Sequence, residues 1–226
     1  MYIGDYLGRR TIYSPEALAV VDTGKTPELR LTYAQLNERA NRLAHGLHAS
    51  GIGKGDRVAI LAQDGVEHLD LLFACGKLGA IHTALNWRLH WRELQQILAA
   101  VTPTVLIYDD TFKESVASLA QVETSIQHWI HLDGVGIPGS RHFGDVLDAA
   151  SAMSCTCETL CDEDIAAIVF TGGTTGLSKG ARISHRQIAW NCLNTVIHDL
   201  DRSDVYLNVF PLFHVGGLFV YTLPQI

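Results

Sequence analysis

Residues 165–180 read Ile165-Ala-Ala-Ile-Val-Phe-Thr-Gly-Gly-Thr-Thr-Gly-Leu-Ser-Lys-Gly180, an apolar run that passes directly into a loop of glycines, threonines and one lysine. An apolar run of this length bounded by glycine has the pattern of a buried strand. Glycines lack the Cβ that would hinder backbone N–H groups from turning toward an anion. The hydroxyls of Thr171, Thr174 and Thr175 add donors, and Lys179 adds a mobile positive charge. Each charge-assisted hydrogen bond contributes roughly 1.5–3 kcal/mol, so several converging donors suffice to hold a polyphosphate. The expectation is a nucleotide-phosphate loop made by Thr171, Gly172, Gly173, Thr174, Thr175, Gly176 and Lys179.

Two other phosphate motifs do not fit. A Walker loop needs Gly-Lys-Ser/Thr in that order, whereas Ser178 here precedes Lys179 and Gly180 follows it. The dinucleotide spacing G-x-G-x-x-G occurs only at Gly134-Val-Gly136-Ile-Pro-Gly139. Pro138 sits where the helix should begin, and no acidic ribose ligand is well placed after it. That segment is expected to be a surface turn.

Outward from the loop, strand and helix patterns alternate. Thr32 and Gln35 have the spacing of a capping box, and Tyr33, Leu36, Ala40, Leu43, Ala44 and Leu47 then form one apolar stripe at helical spacing. Strands are expected at 58–62, 80–85, 105–108 and 129–132, with helices over 66–78, 91–100 and 112–122. Such βα alternation predicts an α/β fold, a parallel-rich sheet flanked by helices. Residues 140–164 change character, with small residues, three cysteines and the acidic Glu158, Asp162, Glu163 and Asp164. They read as a linker, dividing an N-terminal α/β subdomain (1–160) from the start of a second one (161–226). Beyond the loop, a helix over 186–199, a strand at 205–209 and a further apolar element at 219–223 are expected.

Composition narrows the function. A net charge of −7 argues against nucleic acid as a partner, because a phosphate backbone demands a basic face. No run approaches the roughly 18 apolar residues of a membrane span, and the N-terminus lacks the apolar core of a signal peptide. Five cysteines, an odd number, suit a reducing cytoplasm. Cys155, Cys157 and Cys161 are spaced C-x-C-x₃-C, without a paired knuckle or an evident fourth ligand, and read as thiols in a linker.

The loop resembles the phosphate signature of the adenylate-forming superfamily: acyl-CoA synthetases, luciferases and peptide-synthetase adenylation domains. The usual pattern is Ser/Thr-Gly-Ser/Thr-Thr-Gly-x-Pro-Lys-Gly, preceded by an aromatic or small residue and then Thr or Ser. The chain matches at Thr171, Gly173, Thr174, Thr175, Gly176, Lys179 and Gly180, and departs at Gly172 and Ser178. Glycine at 172 removes a hydroxyl donor and leaves the backbone one. Serine in place of proline at 178 loosens the loop by about 0.4–1 kcal/mol of chain entropy. Ala181-Arg-Ile-Ser-His185 is similar to the family's strand and helix start after the loop, and Pro211-Leu-Phe-His-Val-Gly-Gly217 to its next motif. Leu31-Thr-Tyr-Ala-Gln-Leu36 and Gly51-Ile-Gly-Lys-Gly-Asp-Arg-Val58 resemble its N-terminal helix and first strand.

The resemblance implies the N-terminal portion of an ATP-dependent acid–CoA ligase, ending before its second sheet is complete and before the mobile C-terminal lid domain. The implied reaction joins a fatty or aromatic carboxylic acid to ATP, then to coenzyme A, with Mg²⁺ as cofactor. Lys179 and His214 are the implied catalytic residues, and Thr174 the implied Mg²⁺ contact. His185 is implied to open a helix. Trp87, Arg88, Trp91 and Arg92 form an aromatic–basic strip whose place is either packing or a surface near coenzyme A. Residues 1–226 alone are expected to lack ligase activity, and a homodimer is a candidate assembly. Two alternatives stay open: an adenylation domain that loads a carrier-protein thiol, and a catalytically inert nucleotide-binding module.

Overall fold

The computed structural model describes residues 4–171, 178–197, 199–201 and 203–226. The chain opens with helix α1 (Tyr6–Tyr13) and a small antiparallel hairpin, β1 (Leu18–Asp22) with β2 (Leu29–Thr32), neither foreseen. Helix α2 (Tyr33–Ala49) starts where the capping box placed it. The Thr32 hydroxyl accepts the Gln35 N–H, and the Gln35 side chain accepts the Thr32 N–H. Its expected apolar stripe is buried from Tyr33 to Leu47.

Then come β3 (Arg57–Leu61), α3 (Val66–Leu78), β4 (Ile81–Ala84), α4 (Trp91–Val101) and β5 (Val105–Tyr108). A 3₁₀ turn (Asp110–Phe112) replaces the first residues of the helix expected from 112, and α5 (Lys113–Ala120) follows. The Asp109 carboxylate accepts the Thr111 N–H and so favours the tighter turn. β6 (His128–His131), β7 (Arg141–His142), α6 (Phe143–Asp148), β8 (Ile165–Thr171), β9 (Lys179–Ser184) and α7 (His185–Val196) complete the regular elements. A π-helical turn (Gly216–Thr222) and a 3₁₀ turn (Leu223–Gln225) end the chain.

Seven strands form one sheet in the order β7-β6-β5-β3-β4-β8-β9. All neighbours are parallel except β8 and β9, which pair as an antiparallel hairpin. Strand β3 shows why the sheet is buried on both sides. Val58 and Ile60 face a core shared with α2, α3 and α6, while Ala59 and Leu61 face one shared with α4 and α5. Fully burying one such aliphatic side chain stabilises by about 1.5–3 kcal/mol. The alternation of the two cores along each strand is therefore the main force that sets the register.

Two expectations need correction. The stretch 140–164 is not simply a linker, because β7 and α6 lie within it and Phe143, Val146 and Leu147 are buried against α2 and the sheet. Its remainder is held as a strap: Asn41 Nδ2 donates to the Ala152 carbonyl (2.9 Å), Arg42 Nη1 to that of Ala150 (2.9 Å), and Lys54 Nζ to that of Thr159 (2.7 Å). β8 and β9 continue the same sheet, beside β4. Lastly, 205–209 is not a strand. Val205, Leu207 and Val209 are 96%, 76% and 72% exposed, and no described strand pairs with them. β propensity without a ladder partner does not make a strand. The Gly134–Gly139 spacing is a turn between β6 and β7, with φ of 65°, 64° and 83° at its three glycines.

Beneath the sheet, His82 of β4 and His68 of α3 are buried close to one another. Burial, helped by the neighbouring His68, pushes the His82 imidazole down to about 3; burial also lowers His68. Each ring is thus neutral when folded and free to protonate when unfolded, so its contribution is complete above about pH 6.5 and lost as pH falls toward the folded pKa. Asp70, held up near 6 by burial, has the opposite sign below that pH and offsets one of the two. Replacing His82 with leucine should flatten the acid limb of stability by about 1.4 kcal/mol per pH unit. Urea melts between pH 6.5 and 4 read this directly; parallel slopes for both proteins would refute it.

Candidate active site at the strand ends

β3 and β4 are neighbours whose outgoing helices lie on opposite faces, α3 on one and α4 on the other. Their connections leave the carboxyl ends of the two strands toward opposite faces of the sheet, the arrangement at which an open α/β sheet usually takes its ligand. β8 lies parallel beside β4 and ends at the same edge in Thr171.

The β8–β9 hairpin closes at this edge. Thr171 pairs with Lys179 and Phe170 with Gly180, and Thr171 Oγ1 donates to the Lys179 carbonyl at 3.4 Å. Both closing residues are exposed. Gly172, Gly173, Thr174, Thr175 and Gly176, also assigned to the loop from sequence, lie outside the described residues. After β9, the Ser184 hydroxyl caps α7 by accepting the Gln187 N–H, and the Gln187 side chain accepts the Ser184 N–H. His185 is the first residue of α7, as expected, and is buried; its N–H donates to the Asp164 carbonyl (3.1 Å).

The second sequence motif, 211–217, docks on the same edge. The Leu212 N–H donates to Asp64 Oδ1 at 2.7 Å, three residues past the end of β3. Phe213 meets Trp87 edge-on, with ring centroids 6.3 Å apart at 89°. The Arg88 guanidinium lies 4.7 Å from the Trp87 ring centroid and 5.4 Å from that of Phe213. Trp87 and Trp91 are half-buried with Arg88 and Arg92 over their rings, so the aromatic–basic strip is partly packing.

His214 itself is exposed, on a short fixed stretch of backbone. Its N–H donates to the Pro211 carbonyl (3.0 Å), and its carbonyl accepts the Leu218 N–H (3.1 Å). Nδ1 accepts the Gly216 N–H at 3.1 Å. A ring whose Nδ1 accepts carries its neutral-state proton on Nε2, so His214 presents an Nε2–H donor outward. Gly217 is glycine for a packing reason: a Cβ there would strike the Pro211 carbonyl and lie 2.8 Å from that of Phe210, and backbone cannot swing aside. The π-helical turn that follows is a form enriched near functional sites.

Sequence reading missed Asp64 and the contact of Trp87 with Phe213. Asp64 is separated from Leu212 by 148 residues, and no local pattern signals that bond. A shallow groove of about 570 Å³, lined by Glu163, Arg186, Gln187, Trp190 and Asn191 among others, lies at the opposite edge of the sheet, by the first residue of β8 and the last of β9. It shares no residue with the hairpin end or the Phe-His motif.

The chain belongs to the AMP-binding enzyme family, whose profile matches residues 9–225. Feruloyl-CoA synthase of an Amycolatopsis species is 36% identical over 225 residues, covering 99% of this chain and 42% of that protein. Indoleacetate–CoA ligase of Aromatoleum aromaticum is 34% identical, covering 100% and 43%. The structure of ATP-bound MatB from Rhodopseudomonas palustris matches with a TM-score of 0.80 at 31% identity, covering 96% of this chain and 42% of that one. The chain therefore spans about two fifths of the length of these relatives.

Proposed function

We propose that this chain is the N-terminal, nucleotide-binding part of an ATP-dependent carboxylic acid–CoA ligase acting on a fatty or aromatic acid. The observation that carries the proposal is the hairpin end, Thr171 facing Lys179 at the carboxyl edge of β8, beside the strand ends from which β3 and β4 send their helices to opposite faces. Relatives that act on ferulate-type and indoleacetate-type acids support the aromatic class.

In this reading the acid carboxylate attacks the α-phosphorus of ATP, the bond to the bridging oxygen breaks, and pyrophosphate leaves. The thiol of coenzyme A then attacks the acyl carbon and AMP departs with the electron pair. Chemistry of this kind depends on positioning and on stabilising charge. Lys179 would neutralise the β- and γ-phosphates, aided by Thr171 and, from sequence, by the glycines and threonines of the loop. His214 Nε2–H would hydrogen-bond the acid carboxylate and orient it. Mg²⁺ suits phosphate oxygens as a hard cation; Thr174, assigned to it, lies outside the described residues. Five free cysteines fit a cytoplasmic enzyme, and no described helix is long and apolar enough to cross a membrane.

The test is acid-dependent exchange of labelled pyrophosphate into ATP by the full-length protein, against a panel of aromatic and fatty acids. Exchange with at least one acid, followed by AMP release on addition of coenzyme A, is the expected result. No exchange with any acid would overturn the proposal. Product formed with a carrier-protein thiol but not with coenzyme A would favour the adenylation-domain alternative.

A further inference from the structure

We infer that Asp64 is a positioning residue that holds His214 in place at the substrate carboxylate. The inference rests on the reading just given. Asp64 leaves the carboxyl end of β3, immediately before Gly65, which caps α3. Its Oδ1 accepts the Leu212 N–H at 2.7 Å, a charge-assisted bond in a partly buried place. Two residues on stands His214, tied back by its own N–H to the Pro211 carbonyl. Between them, Phe213 is held by the Trp87 ring and the Arg88 guanidinium. The motif is thus fastened at two points, one polar and one aromatic. Both come from the loops that leave the carboxyl ends of neighbouring strands, after β3 and after β4.

The division of labour follows from the chemistry. The aromatic contact resists displacement of Phe213 but is weakly directional. The Asp64 bond fixes the backbone amide next to it, and with it the direction in which the following residues leave. His214 Nδ1 is occupied by the Gly216 N–H, so the ring reaches substrate through Nε2 alone, and that nitrogen goes where the backbone sends it. Asp64 also affects the nearby buried His68, whose charged form it favours against burial. Asparagine at 64 would keep the accepting oxygen and lose the charge; alanine would lose both.

The experiment uses the full-length protein and two readouts. In pyrophosphate exchange, Asp64→Ala should lower kcat/KM for the acid by about 10- to 100-fold, the scale of a displacement near 1 Å, with the KM for ATP changed less than about 2-fold. Asp64→Asn should stay within about 3-fold of wild type. In a His214→Ala background, adding Asp64→Ala should cost less than about 3-fold more, because residues that act as a unit are non-additive. Hydrogen exchange by mass spectrometry gives an activity-independent readout: the peptide over 211–217 should exchange faster in Asp64→Ala and at the wild-type rate in Asp64→Asn. Asp64→Ser, too short to reach Leu212, replaces the alanine variant if that one does not fold. An asparagine variant as impaired as alanine, additive losses with His214→Ala, or unchanged exchange over 211–217 would each overturn the inference. A wild-type protein inactive on every acid would overturn the functional reading and Asp64's part in catalysis, while faster exchange in Asp64→Ala would still establish the anchor.

Discussion

Lys179→Ala in the full-length protein should slow acid-dependent pyrophosphate exchange by about 100-fold or more, the loss measured when a preorganised donor to developing charge is removed. Lys179 opens β9 opposite Thr171, so a rigid ladder sets its Cα while its side chain is exposed and free to reach a phosphate. Lys179→Arg separates charge from shape. Arginine keeps the positive charge but replaces a compact ammonium by a planar fork, and it should recover only part of the rate. Because the residue is exposed, neither change should move the unfolding free energy by more than the roughly 0.5 kcal/mol typical of surface substitutions. An alanine variant that exchanges pyrophosphate at the wild-type rate would remove Lys179 from the site.

Arg39→Ala should destabilise the fold by about 3–5 kcal/mol, the usual cost of leaving one member of a buried ion pair alone. Arg39 of α2 clasps Asp70 of α3, with Nε 3.1 Å from Oδ1 and Nη2 2.6 Å from Oδ2. The Asp70 side chain has no exposure at all. Burial wins over the guanidinium, and the carboxyl sits near 6 rather than in the usual carboxylate range. Asp70 is therefore charged at pH 7 and depends on Arg39 for its compensation. Without Arg39 the carboxyl should rise further, since the main lowering influence is gone. The sign follows: a raised folded pKa favours folding below the unfolded value and loses that advantage as pH climbs through the folded one. The penalty for Arg39→Ala should thus be larger at pH 8 than at pH 5.5, by urea denaturation. The pair Arg39→Met with Asp70→Leu should recover most of the loss, because a well-packed apolar pair often equals or exceeds a buried ion pair. A loss below about 1 kcal/mol for Arg39→Ala alone would show that water reaches Asp70 and that the pair behaves like a surface one.

Much of the fold was legible because its signals are local. The capping box at Thr32 and Gln35 placed the start of α2 to the residue, and the stripe from Tyr33 to Leu47 its buried face. The helix expected over 66–78 is α3 with the same bounds, ended by Gly79 in the left-handed conformation at φ 70°. Short apolar runs before turn residues located β3, β4, β5 and β8. Where local preference had no partner, reading failed. The alternating Val205, Leu207 and Val209 look like a strand but meet no neighbouring ladder, whereas Arg141–His142, poor in strand character, pairs with β6 because that edge was open. The composition of 140–164 suggested a linker. Phe143, Val146 and Leu147 nonetheless found a face of α2 to cover.

The candidate site divides in the same way. Glycine, threonine and lysine point to phosphate chemistry through residue type and spacing, so the proposal for the segment from Thr171 to Lys179 rests on its letters: backbone freedom and donor density are properties of adjacent residues. Its setting could not be read that way. That Thr171 ends a strand beside β4, that β3 and β4 send their helices to opposite faces, and that Asp64 ties down Leu212 across 148 positions are matters of which surfaces meet. Such contacts depend on the closure of a sheet with two cores, an energy summed over dozens of distant residues. No short window of sequence contains it.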